Sequence, residues 1–114
     1  VYASPHSAFF VVERVGKVLG CGGFGPLAGG EAGVCELRKM YFDREIRGTG
    51  LGSQLLGAIL DSARNTGYTL CYLETLENMQ RARRLYEKHG FKAIEHAMGN
   101  TGHSSCNRFM TLDL

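Results

Sequence analysis

The sequence predicts an α/β domain built on a mixed, strongly twisted sheet flanked by helices, and three observations lead there. Two runs rich in β-branched and aromatic residues, broken at Gly16-Lys17, read as an antiparallel hairpin. A glycine cluster, Arg47-Gly48-Thr49-Gly50-Leu51-Gly52-Ser53, passes directly into apolar residues at helical spacing. The wholly apolar run Leu70-Cys71-Tyr72-Leu73 follows that helix and reads as a strand buried on both faces, so a strand-helix-strand crossover supplies one parallel pair.

Taken in order, Ala8 to Val15 and Val18 to Phe24 form the hairpin, and Gly25 to Ala32 is a turn-rich loop. Gly33 to Phe42 is a third strand whose mixture of apolar and charged positions suits a half-exposed strand or the wall of a cleft. The first helix carries Leu51, Leu55, Leu56, Ile59, Leu60 and Ala63 on its apolar face and stops at Gly67. Tyr68 to Leu76 contains the fourth strand. Asn78 reads as the N-cap of a second helix with Met79, Ala82, Leu85 and Tyr86 on one face and Gly90 as its stop. Phe91 to Ala97 and Cys106 to Leu112 are a last pair of strands.

At 114 residues the chain reads as one domain, and its 44% hydrophobic content is enough for a core. The first residue is Val. The longest apolar run is far short of the ~20 residues that cross a bilayer, and no signal peptide opens the chain, so a cytoplasmic location and no membrane partner are expected. Thirteen Lys and Arg against eleven Asp and Glu is too balanced for a protein that tracks a phosphate backbone, which argues against a nucleic-acid partner. Cys21, Cys35, Cys71 and Cys106 lack metal-ligand spacing, and the first three lie in strand-like runs where cysteine acts as a small hydrophobe. Free thiols are expected, and His103 with Cys106 is too sparse a pair to make a metal site.

Sixteen glycines, against a usual share of about 7%, make their positions informative. Gly20, Gly22, Gly23 and Gly25 lie in and after a strand and read as close strand packing. Gly48, Gly50 and Gly52 open a helix, where bare backbone N–H groups and the positive end of the helix dipole favour a phosphate. The dinucleotide fingerprint fails because position 53 is Ser, and no lysine stands between a Gly and a Ser or Thr as a P-loop requires.

The run Arg47-Gly48-Thr49-Gly50-Leu51-Gly52 resembles the R/Q-x-x-G-x-G/A signature of the GNAT superfamily of acyl-CoA-dependent N-acetyltransferases. Ala82 to Phe91 is similar to that family's A-x-x-L-Y-x-x-x-G-F segment, and the order of elements agrees from about Ala8 to Leu112. The resemblance implies acetyl-CoA as co-substrate, with its diphosphate on Arg47, Gly48, Thr49, Gly50, Leu51, Gly52 and Ser53. It also implies that the third strand splays at Met40, Tyr41 and Phe42 to pair with the pantetheine arm, so the cofactor lies in a cleft between the third and fourth strands.

Glu36, eleven residues before Arg47, matches the general base of histone-type members, with Glu74 on the adjacent strand as the competing carboxylate and a salt-bridged strand glutamate as the plainer reading. Tyr86 matches the family tyrosine that protonates the departing thiolate, against a plain core role. His103 is assigned to the acceptor pocket because the family builds that pocket from the last loop. Arg81, Arg83 and Arg84 read as a solvated face. Complete members begin with a strand and two helices, which residues 1–114 lack on this reading; the strand edge so exposed makes a homodimer the oligomeric expectation. The implied reaction is transfer of an acetyl group to a primary amine of a small molecule or peptide by direct attack in a ternary complex. The alternative is an acyl-CoA-binding regulatory or interaction module without turnover.

Overall fold

A computed structural model describes residues 6–99 and 107–114. The elements run β1 (Ala8–Arg14), β2 (Lys17–Pro26), β3 (Val34–Phe42), a 3-10 turn (Arg44–Ile46), α1 (Leu51–Thr66), β4 (Leu70–Thr75), α2 (Gln80–Lys88), β5 (Lys92–Ile94) and β6 (Arg108–Asp113). They form one six-stranded sheet in the order β1-β2-β3-β4-β6-β5. β3 and β4 are its parallel pair, and the other pairings are antiparallel. The predicted mixed α/β sheet is therefore present. The crossover through α1 explains the parallel pair, because a tight turn can only reverse a strand.

The hairpin closes with two residues, Val15 at φ 49° and Gly16 at φ 79°, the left-handed pair that a primed turn needs. Glycine accepts that geometry freely, whereas Val15 does so at full exposure. The glycines of β2 serve close packing, as the sequence suggested. A Cβ at Gly23 would collide with the Ala8 carbonyl, and one at Gly25 would meet the Arg38 guanidinium at 2.6 Å.

Both helices cover the same face of the sheet. Leu55, Leu56, Ile59, Leu60 and Ala63 of α1 and Tyr86 of α2 share one core with Cys35 and Leu37 of β3, Cys71 and Leu73 of β4 and Met110 of β6. The alternate strand residues Val34 and Tyr72 point to the other face, where they form a smaller cluster with Leu27. The apolar stripe of α1 is the one its periodicity predicted, and Gly67 ends the helix at φ 109° with its N–H on the Ala63 and Arg64 carbonyls.

Two expectations about α2 fail. Its N-cap is Met79, not Asn78, and no side chain caps it; Met79 is also 48% exposed instead of lying on the buried face. Met79 N–H bonds to the Leu76 carbonyl, so a turn positions the helix start and leaves the Asn78 side chain outside it. The last two strands are shorter than their sequence runs, and β6 inserts between β4 and β5. Cys21, Cys35 and Cys71 are free, and Cys106 lies outside the described residues.

Candidate active site

The parallel pairing of β3 with β4 is brief: Val34 faces Leu70, Cys35 faces Cys71 and Glu36 faces Tyr72, and there it ends. From Leu37 onward β3 keeps β2 on one side, while β4 from Leu73 onward keeps β6 on one side. The two strands part into a V, with the inner edge of each turned toward the opening.

A bulge contributes to this divergence. Between the pairs Cys21 to Tyr41 and Gly23 to Arg38, β3 uses one residue more than β2, and Lys39 adopts φ 55°. The bulge rephases the strand, so that Met40 and Phe42 join Leu37 on the helix-covered face while Tyr41 is exposed. The Tyr41 hydroxyl donates to Asp43 Oδ2 at 2.9 Å. Asp43 also caps the 3-10 turn by accepting from Glu45 N at 2.9 Å, and these two bonds hold its carboxyl below the usual range. The same bond raises the Tyr41 phenol.

The glycine loop stands at the mouth of the V. A Cβ at Gly52 would lie 3.5 Å from the Phe42 ring and 3.7 Å from Leu85, so the first turn of α1 sits between the end of β3 and α2. Gly48 and Gly50 have φ values of 74° and 81°, and a Cβ at either would meet nothing within 4 Å, so both face open space. Thr49 Oγ1 donates to the Ile46 carbonyl and accepts from Leu51 N, which fixes the loop from within. Gly50 caps α1 without a side chain. The N–H groups of Gly52 and Ser53 in this first turn have no carbonyl four residues back to bond, as at any helix start. Space, donors and the positive end of a 16-residue helix together fit a diphosphate. Arg47 is exposed, and its N–H closes the preceding turn on the Arg44 carbonyl.

The candidate acid and base lie on opposite faces of the sheet. Glu36 is 4% exposed at the apex of the V, on the face away from the helices, and its Oε1 accepts from Arg38 Nε at 3.1 Å. Arg38 also donates to the Pro26 carbonyl, so the salt-bridged strand glutamate weighed from the sequence is present. Glu74 occupies the same face on β4 and accepts from the Tyr72 hydroxyl at 2.6 Å; Met98 N donates to that hydroxyl at 3.1 Å. Burial and then the Glu74 carboxylate push the Tyr72 phenol well up. Tyr86 is 5% exposed on the helix face, edge-on to Phe91 with ring centroids 5.8 Å apart. Burial, and after it the Cys71 thiol, raises the Tyr86 phenol and keeps it protonated at neutral pH.

Of the remaining predicted residues, His103 lies outside the described residues. Arg81 and Arg84 are exposed, as a solvated face requires, and Arg83 donates to the Glu77 carbonyl. Among the described residues no group of three metal-ligating side chains assembles. Two concavities of about 380 Å³ and 350 Å³ lie away from the glycine loop, one near Leu27 and Tyr68 and one between α2 and β5–β6. One contact was invisible in the sequence. Ser53 Oγ stands 2.9 Å from Nε2 of His89, 36 residues away, and no local pattern announces such a pairing.

A family model described as acetyltransferase (GNAT) family matches residues 1–91. An uncharacterised N-acetyltransferase of Escherichia coli is 46% identical over 114 residues, covering 100% of this chain and 68% of the relative. An acetyltransferase of the GNAT family from Staphylococcus aureus superposes with a TM-score of 0.84 at 21% identity, over 95% of this chain and 68% of that one. An acetyltransferase from Salmonella typhimurium, solved with its cofactor acetyl-CoA, gives a TM-score of 0.74 at 24% identity, over 96% of this chain and 66% of that one. The chain thus spans about two thirds of the proteins it matches.

Proposed function

The chain belongs to the GNAT acetyltransferase family, and from that premise we propose that it transfers an acetyl group from acetyl-CoA to a primary amine of a small molecule or peptide, by direct attack in a ternary complex. The observation that carries this reading is the V itself: the β3–β4 pairing ends after Glu36 and Tyr72, and the start of α1 stands at its mouth. Gly48, Gly50, Gly52 and Ser53 offer the diphosphate backbone donors and room, and the inner edge of β3 at Met40, Tyr41 and Phe42 offers the pantetheine arm the groups a further strand would use. The co-substrate supplies the activated acyl group as a thioester.

The residues then divide the proton work. The amine nitrogen forms a bond to the acyl carbon as the carbon–sulfur bond breaks, so one proton must leave the amine and one must reach the thiolate. Glu36 and Glu74 stand on the face away from the helices and are the groups to receive the first. Tyr86, protonated and buried on the helix face, is the group to supply the second. Approach from opposite faces lets acceptor and donor meet at the opening without sharing a pocket. No cysteine holds a matched catalytic position, and Cys35 and Cys71 are buried, which favours direct transfer over an acetyl-enzyme.

The test is calorimetric titration of the chain with acetyl-CoA, followed in the same preparation by thiol release against a panel of primary amines. Binding with turnover is expected. Glu36→Gln and Glu74→Gln then identify the base, since the true one lowers kcat/KM steeply and flattens the acidic limb of the pH profile. Tyr86→Phe should lower kcat while leaving the fold intact. Binding without turnover on any amine would favour a regulatory acyl-CoA-binding module, and absence of binding would overturn the reading of the loop.

A further inference from the structure

Ser53 and His89 join the first turn of α1 to the C-terminal cap of α2 through the 2.9 Å contact between Oγ and Nε2. The backbone of His89 is fixed, with its N–H on the Leu85 and Tyr86 carbonyls. Its ring lies along α1, and a Cβ at Gly57, one turn beyond Ser53, would stand 3.8 Å from His89 Cε1. Both side chains are half-buried.

A serine hydroxyl has one proton to give. If Nε2 of the ring is bare, Ser53 donates to it and turns only lone pairs toward the mouth of the V, where they repel an anion. If Nε2 carries a proton, Ser53 accepts from the ring and is free to donate outward. An imidazolium does this and adds a positive charge beside the N-terminus of α1. We propose that His89 is a positioning residue that acts through Ser53 on diphosphate binding, and that binding of CoA draws a proton onto His89. The proposal rests on the reading that this loop holds the diphosphate.

The surroundings of the ring fix the sign. Burial, then the charge of Lys88 on the same helix, holds His89 below the ordinary histidine value. From α1 the ring meets Ser53 and Gly57, neither of which titrates. The free chain therefore carries a neutral ring at neutral pH, and an anion on Ser53 raises the value by favouring the charged form. Affinity rises as pH falls from the histidine value of the complex toward that of the free chain.

The experiment is calorimetric titration of the full chain with 3′-dephospho-CoA, whose diphosphate does not titrate near neutrality, in two buffers of different ionisation enthalpy over about pH 5.5–8. Expected are uptake of a fraction of a proton on binding and affinity about three- to tenfold tighter at the acid end, the size of one partly exposed charge-assisted hydrogen bond. His89→Gln, whose amide N–H can still donate to Ser53, should bind near the wild-type level without the pH dependence. His89→Ala should lose both, raising KM for acetyl-CoA while kcat at saturation holds. Binding without proton uptake in the wild type, or an unchanged pH dependence in His89→Gln, would overturn the inference. Absence of binding in the wild type would overturn the diphosphate reading and the inference with it.

Discussion

Gly50→Asn separates the backbone role of the glycine loop from its role as a site. Gly50 sits at φ 81° and ψ −6°, in the left-handed region, and a Cβ added there meets no heavy atom within 4 Å. The stability change therefore comes from the backbone alone. A left-handed conformation costs an ordinary L-residue about 1–2 kcal/mol, and Asn less because it tolerates that region. The fold should lose no more than about 1 kcal/mol, a few degrees of melting temperature for a domain this size. Binding should change far more. The Asn side chain would occupy the open space beside Gly48 and compete for the N–H groups of Gly52 and Ser53. Each hydrogen bond withheld from a charged phosphate is worth roughly 1.5–3 kcal/mol, and the loss of one weakens CoA binding about ten- to a hundredfold. The assay pairs thermal denaturation with calorimetric titration of CoA. Gly16→Asn is the control, because Gly16 has a similar left-handed φ of 79° and equally open surroundings at the hairpin tip. A Gly50→Asn chain that binds CoA within about twofold of wild type would refute the placement of the diphosphate.

Three further outcomes follow from the packing. Tyr72→Phe removes a fully buried hydroxyl bonded to Glu74 and to Met98 N, and should lower stability by about 2 kcal/mol in urea denaturation with an unchanged slope; a loss under about 0.5 kcal/mol would mean those bonds contribute nothing net. Gly23→Ala drives a Cβ into the Ala8 carbonyl and within 3.1 Å of Phe9 Cα, so β1 must shift. A cost of about 1–3 kcal/mol, with accelerated hydrogen exchange confined to β1 amides, is expected, and unchanged exchange there would contradict the register. Cys35 and Cys71 are wholly buried, and their mutual contact with burial pushes the Cys71 thiol well up. Peptide mapping after brief alkylation of the native chain should find both unmodified until denaturant is added; rapid native labelling of either would show that the closed end of the V opens.

What the sequence made legible was local. The hairpin, the apolar stripe of α1, the buried run at Leu70 to Leu73 and the glycine-opened helix are each written within a window of one element, and each is present. The errors are also local but of another kind. Asn78 is a good cap by composition, yet the turn ending on Leu76 sets where α2 begins. The pairing of Ser53 with His89 depends on how α2 packs beside α1, which periodicity does not record. That of Glu36 with Arg38, two residues apart on β3, is the local salt bridge the sequence did offer, and the missing Cβ of Gly25 makes the room that Arg38 occupies.

The V has a sequence trace that propensity alone does not interpret. In Leu37-Arg38-Lys39-Met40-Tyr41-Phe42 two charged residues interrupt an alternation that would otherwise continue. Without an extra residue, the face that holds Cys35 and Leu37 would next receive Lys39 and Tyr41, placing an ammonium and a phenol against α1. The left-handed turn at Lys39 absorbs one residue and returns Met40 and Phe42 to that face. Phe42 can then pack at Gly52, and that contact sets the start of α1 beside the end of β3. The strain of a non-glycine residue at φ 55° thus has a structural return: it places the N-terminus of α1 at the opening between the strands. A substitution that relaxed Lys39 into regular strand geometry would exchange the two faces of Met40, Tyr41 and Phe42 and displace the glycine loop from the V.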